Sequence, residues 1–232
     1  MQSSSDLLLK LRRADPDRFF CTLFAPAGKR EVLALLYLFN NELARAREVA
    51  SEPLLALIRL NWWREVVSGQ PKHHEIATPL GQALDAGLLP RQALRDLISA
   101  REIEAEPEIP DFAAFIEYAR STAGRLARIA GNFLGADSDA VEDLGTAYGI
   151  AGILRAAPFL AKQGRSLLPA DGTPPDAIIA AAEKLLHAKP PRIALAAALP
   201  AVFARRDLGK PFAPRGLGDR LAVLRAAVTG RI

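Results

Sequence analysis

A chain of 232 residues, half of them hydrophobic and only 6% aromatic, has enough apolar material for a buried core, and its wealth of Ala and Leu favours helix over strand. The single cysteine, Cys21, excludes an internal disulfide framework, fits a reducing compartment and, lying in an apolar stretch, reads as a core residue. The formal charge of +4 is spread along the chain, with only short pairs such as Arg12-Arg13 and Arg205-Arg206, so the basic, aromatic-interleaved footprint of a nucleic-acid binder is excluded.

An anionic partner stays open (a membrane surface, a diphosphate or an acidic protein), beside the plainer reading of a solvated basic surface. The opening M-Q-S-S-S-D-L-L-L-K has no basic segment followed by a long apolar one, as a secretory signal would. No run reaches the ~18 apolar residues of a membrane-spanning helix. The expectation is a cytoplasmic protein, at most peripheral at the inner face of the cytoplasmic membrane.

In chain order, Pro26-Ala27-Gly28 marks a turn. Val32, Leu35, Leu36, Phe39, Leu43 and Ala46 then recur at spacings of three and four, one apolar helical stripe. Ser51-Glu52-Pro53 punctuates the chain, with Pro53 placed to start a helix whose stripe is Leu54, Leu57, Ile58, Trp62 and Val66 and which ends at Ser68–Pro71. Shorter helices are predicted over about 74–87 and 91–105. Pro107 and Pro110 break the chain, and Asp111 caps a long helix through Phe133. Another runs from Asp139 to Ala161, with Pro158 expected to end or kink it. After the loop A-D-G-T-P-P-D, amphipathic segments cover 176–187, 191–206 and 216–229. The 191–206 segment has basic ends and reads as a bundle helix or a membrane-surface helix. The predicted fold is all-α: a single domain over 1–232 with roughly eight to ten helices packed around a central space.

Several strings resemble the squalene/phytoene synthase superfamily. Phe20, Pro26, Arg30, Tyr37 and Phe39 fit the F-x-x-x-x-x-P-x-x-x-R-x-x-x-x-x-x-Y-x-F frame that leads into its first acidic motif. Trp63-Arg64-Glu65 resembles a following W-R-E. Tyr118, Gly124 and Leu134-Gly135 resemble the middle helix, and Leu144-Gly145-x-Ala147-Tyr148 and Gly164-Arg165-x-Leu167-Leu168-Pro169 bracket the second motif. The likeness is strongest over residues 15–170; 171–232 would complete the bundle. It implies an isoprenoid-synthase-like helical bundle around a central cavity.

The resemblance also implies where acids belong. In active members two facing helices supply aspartates at i, i+3 and i+4, on one helical face, and Mg²⁺ ions bridge them to a prenyl diphosphate. Carried over by residue, the first motif falls on Ala44, Arg45 and Glu48 and the second on Ala156, Phe159 and Leu160. Only Glu48 keeps a carboxylate, and Arg45 opposes it on the same face. Asp137, Asp139, Glu142 and Asp143 lie upstream at a helix start, where acids favour the positive end of the dipole. The expectation is no metal and no cofactor.

The replacing strings have a pattern of their own. F-N-N-E-L-A-R-A-R-E-V-A-S-E (Phe39–Glu52) and L-R-A-A-P-F (Leu154–Phe159) resemble the non-catalytic branch of the superfamily related to a mitochondrial complex I assembly factor with a phytoene-synthase-like domain. That resemblance implies an assembly role for respiratory complex I (NADH:quinone oxidoreductase), with complex I subunits or other assembly factors as partners. Asn40, Asn41, Glu42, Arg45 and Glu48 form either a helix face with local ion pairs worth about 0.2–0.5 kcal/mol each, or the lining of the old cavity with Arg155 and Arg165 reaching in. An Arg-rich pocket of that kind suits an anionic or isoprenoid ligand without metal. A prenyl-diphosphate transferase on a modified scheme, motivated by the retained frame and Glu48, and an isoprenoid- or lipid-binding protein without turnover stand as alternatives. His73-His74 lacks a second ligand pair and reads as solvated loop; His187 is isolated. Trp62-Trp63 reads as core plus one partly exposed ring.

Overall fold

The computed structural model describes residues 4–48, 52–210 and 212–232. Among them the chain is helical, and its β content is a single bridge between Ile109 and Pro169. It packs as two compact units, Met1–Ala105 and Glu106–Ile232.

The first unit holds α1 (Ser4–Ala14), α2 (Pro16–Thr22), α3 (Arg30–Glu48), α4 (Pro53–Val67), α5 (Ala77–Asp85) and α6 (Arg91–Ala100). Its starts follow local chemistry. The Asp15 carboxylate accepts the Arg18 backbone N–H at 2.9 Å, with Pro16 in the first turn where no donor is missed. Pro53 opens α4 in the same way. Helices α1, α2, α4 and α5 all pack against α3. For that reason α3 is buried on every side from Leu33 through Asn40, and the single stripe expected from the sequence widens to the whole circumference. The arginine of the frame, Arg30, donates to the Ala25 carbonyl at 2.9 Å, fixing the turn before α3. Tyr37 is buried under the Arg18 guanidinium, 5.6 Å from its ring centre, and burial pushes its phenol pKa up.

The second unit holds α7 (Phe112–Ala119), α8 (Arg125–Leu134), α9 (Asp139–Ala161), α10 (Pro175–Leu185), α11 (Leu195–Ala198), α12 (Pro200–Asp207) and α13 (Leu217–Thr229). Asp111 caps α7, accepting the Ala114 N–H at 2.8 Å. The helix expected to run unbroken to Phe133 instead widens into a π turn over Arg120–Gly124, where Thr122 Oγ1 donates to the Tyr118 carbonyl at 2.6 Å. This turn and α8 lie against α9 at backbone-to-backbone range. A Cβ placed on Gly145 of α9 would meet Ala127 Cβ at 2.4 Å and the Ala123 carbonyl oxygen at 2.8 Å.

Two further expectations change. Helix α9 continues through Pro158 to Ala161; Pro158 is exposed in the last turn, where removing one backbone donor costs little. By length and composition α9 is also long and apolar enough to cross a membrane, with a mean hydropathy of 1.3; the sequence count missed this because Gly, Thr and Arg interrupt the run. In the structure Val141, Leu144, Ala147, Ile150 and Ala151 of α9 are buried against α8, α10 and α12. The 191–206 segment divides into a short 3₁₀ turn, α11 and α12, with Pro200 opening α12, and Ala196 through Ala204 are buried. It is core rather than surface. Such breaks are why thirteen α segments among the described residues replace the smaller number expected.

Candidate functional site

Helix α3 delivers Asn40, Asn41, Glu42 and Arg45 from its second half. They part company. Asn40 Oδ1 accepts from the Arg101 guanidinium at 3.1 Å, Arg101 pairs with Glu104 at 2.7 Å, and Arg47 Nε donates to the Glu104 carbonyl at 3.2 Å. These contacts clamp the end of α3 to the segment after α6. Asn41 Oδ1 is buried with no hydrogen-bond partner among the described residues. Glu42 and Arg45 pair at 3.4 Å, with the arginine 55% exposed, so this contact contributes only a few tenths of a kcal/mol. The side chain of Glu48, and Val49–Ser51 of the V-x-S-E string, lie outside the described residues.

Glu42 and Arg45 line a cavity of about 440 Å³ with Ile58, Arg59, Trp62, Trp63 and His74. Its apolar wall is an aromatic stack. Trp63 is buried and meets Phe39 at 5.4 Å, edge to face. Trp62 stands at 4.9 Å from Trp63, and the His74 ring lies 5.6 and 5.5 Å from the two indoles. His74 therefore departs from the solvated-loop reading, while His73 is exposed. Its Nδ1 accepts the Ile76 and Ala77 N–H groups at 3.1 and 3.4 Å, capping α5 and assigning the neutral ring's proton to Nε2. The neighbouring W-R-E is structural. Arg64 pairs with Glu102 and Glu65 with Lys72 at 2.8 Å.

In the second unit, α9 presents Arg155, Ala156, Phe159 and Leu160. Arg155 is held: its guanidinium donates to Asp207 at 2.9 Å, and Arg215 grips both oxygens of the same carboxylate at 2.6 and 2.8 Å. The Phe212 ring lies 4.8 Å from Arg155 and packs edge-on to Phe159 at 5.3 Å, while Arg215 sits 4.5 Å from the Phe203 ring. Two arginines thus share the Asp207 carboxylate. Arg165 is half-buried beyond the end of α9, its backbone N–H closing on the Leu160 carbonyl at 3.0 Å.

We expect Asp207→Asn to cost about 3 kcal/mol, because two mostly buried guanidinium groups would lose their shared counter-ion; urea unfolding at neutral pH measures it.

Residues 11–173 match the squalene/phytoene synthase family. The chain belongs to that family. Its fold is also that of a solved dehydrosqualene synthase, with a TM-score of 0.77 at 13% identity over 97% of this chain and 95% of the other. A squalene synthase from Alicyclobacillus acidocaldarius superposes with a TM-score of 0.66 at 16% identity, covering 98% and 94% of the two chains. In sequence, the chain is 30% identical over 170 residues to complex I assembly factor 6 of Bos taurus, covering 69% of this chain and 51% of the relative. The Homo sapiens protein of that name is 28% identical over the same extent, and the Drosophila melanogaster homolog 27% over 177 residues. The chain thus spans about half the length of these relatives.

Within the squalene/phytoene synthase family, the two acidic motifs imply Mg²⁺, and the residues here do not fit it. Ala44, Ala156, Phe159 and Leu160 carry no side-chain oxygen, Arg45 is cationic, and Asp207 is already engaged by two arginines. Among the described residues no group of three His, Cys, Asp or Glu side chains is placed to hold a metal ion. The acids upstream of the second motif serve another purpose. Arg128 donates to Asp137 at 2.6 Å, Asp139 at 2.7 Å and Glu142 at 2.7 Å, and Arg120 pairs with Asp143 at 2.7 Å. The sequence placed these acids at a helix start, and α9 begins at Asp139, but it missed Arg128, nearly two helical turns and a loop upstream.

The Arg128 hydrogen bond holds the Asp137 carboxyl below its usual range, and Arg206 does the same for Asp219. A carboxylate with a depressed folded pKa contributes stability above its unfolded pKa and loses it as pH falls through the folded value. Thermal melts should therefore hold steady from pH 7 to about 5 and fall below about pH 4. Arg128→Gln should flatten that acid-side drop; an unchanged profile would remove the cluster from the account.

Proposed function

We propose that this protein serves the biogenesis of respiratory complex I as a member of the synthase family that binds rather than turns over its ligand. The observation that carries the binding reading is the Arg155–Asp207–Arg215 cluster. Arg155 adjoins Ala156, where the resemblance puts an acid of the second motif, and Asp207 is engaged by both arginines. The complex I reading comes from relatives named assembly factor 6 that match 69% of this chain. The mixed cavity beside α3, with Arg45 and Arg59 against an indole wall, supports a ligand or partner side chain that is apolar at one end and anionic at the other. Its partners on this reading are complex I subunits or other assembly factors.

Deletion of the gene, with the level of assembled NADH:quinone oxidoreductase measured on native gels and by NADH oxidation, tests the proposal. Assembled complex should fall and return with the wild-type gene. Normal complex in the deletion strain would end the complex I reading. Complementation by Trp62→Ala then asks whether the cavity takes part.

A further inference from the structure

Helix α13 carries its largest apolar side chains on the outside. Leu217, Leu221, Leu224 and Val228 are 74, 55, 47 and 70% exposed. Their spacings of four, three and four put them on one ridge, roughly 16 Å long at 1.5 Å per residue. The opposite face is seated: Val223 and Ala226 are buried where α13 packs on α12. The rotation of the helix is pinned by polar contacts. Asp219 accepts from Arg206 at 2.5 Å and from the Gly216 N–H at 2.7 Å, and Arg192 donates to the Thr229 carbonyl at 3.3 Å. The ridge is thus held outward by the fold.

Its flanks are cationic. At 100° per residue Arg220 and Arg225 lie about 70° to either side of the ridge, and Arg231 follows the helix end. All three are exposed, and among the described residues none is held in an ion pair. The one carboxylate on α13, Asp219, is turned inward to Arg206. We infer that α13 is a docking ridge for an anionic lipid surface, with the leucines entering the acyl boundary and the arginines reaching phosphate. Charge complementarity selects this occupant. A row of apolar side chains with bare guanidinium groups on both flanks needs negative charge on both sides at once, which an anionic bilayer supplies along its whole surface. In the 191–206 segment, the membrane-surface alternative in the sequence, Ala196 through Ala204 are buried. The inference does not depend on the proposed assembly role.

Co-flotation of the full chain with vesicles tests it. Binding to phosphatidylcholine containing about 30 mol % phosphatidylglycerol should exceed binding to pure phosphatidylcholine by at least about tenfold and weaken as salt rises. The paired change Leu221→Glu and Leu224→Glu should reduce binding at least about tenfold at an unchanged melting temperature. Leu221→Gln with Leu224→Gln serves if the charged pair melts early. Arg220→Gln, Arg225→Gln and Arg231→Gln together should abolish the preference for anionic lipid. No binding to either vesicle would overturn the inference, as would wild-type binding by a folded Leu221/Leu224 variant. Loss of binding through Leu54→Glu and Ile58→Glu on α4, with the α13 variants unaffected, would place the surface elsewhere and overturn it equally.

Discussion

Gly145→Leu is expected to unfold the second unit under conditions where the wild-type chain is fully folded. At this position α9 crosses the π turn and α8 so closely that even a methyl group has no room. Its Cβ would stand 2.4 Å from Ala127 Cβ and 2.8 Å from the Ala123 carbonyl, the latter a backbone atom that cannot rotate away. Gly149 meets the same wall, 2.6 Å from Ala123 Cβ. Relief requires moving one helix off the other, which opens the core around Leu144 and Ala147. Overpacking in a well-packed core costs about 1–3 kcal/mol and more where the clash is with backbone, so alanine should cost about 2 kcal/mol and leucine well above 3. The control is Gly152→Ala on the same helix, where a Cβ meets nothing within 4 Å. It should be neutral or stabilise by up to about 1 kcal/mol through helix propensity. Urea unfolding monitored by circular dichroism reads all three. A Gly145→Leu variant as stable as wild type would show that the two helices are not in this contact.

Phe39→Ala should destabilise the chain by about 3–5 kcal/mol, or roughly 6–20 °C in Tm. Phe39 is fully buried in a helix packed by four others, and its ring supports Trp63 edge to face. Removing it leaves a cavity under the indole stack, so the loss of stability should come with a red-shifted Trp emission. Phe159→Ala is the contrasting case. That ring is 48% exposed, and its loss should cost less than about 1 kcal/mol.

What the sequence made legible follows from how local each cause is. The starts at Pro53 and Asp111 were readable because a first-turn proline or a cap acts within three residues. The family frame was readable because Phe20, Arg30, Tyr37 and Phe39 follow one another closely on α2 and α3. Losses at Ala44, Ala156, Phe159 and Leu160 were visible as plain absences of oxygen. The replacements were harder. Arg155 meets Asp207 across 52 residues, a pairing that no periodicity announces, so its guanidinium could be imagined free to reach into a cavity. His74 lies in a loop as its sequence implies, but its packing on Trp62 and Trp63 is not legible because the two indoles sit on the preceding helix and reach it only after the chain turns back. The π turn at Arg120–Gly124 hid within a helical pattern, since one extra residue leaves the apolar repeat almost intact. Nor does a pattern count show that α13 bears apolar residues on two faces, one for the bundle and one outward.

The functional account rests on the physical replacement of a metal site by an arginine-centred cluster. Its most direct test is to incubate the full chain with farnesyl or geranylgeranyl diphosphate, with and without Mg²⁺, and to measure released diphosphate. The account predicts no release above the protein-free rate and no dependence on Mg²⁺. Magnesium-dependent release at catalytic turnover would contradict it and restore the chain to the working enzymes of its family.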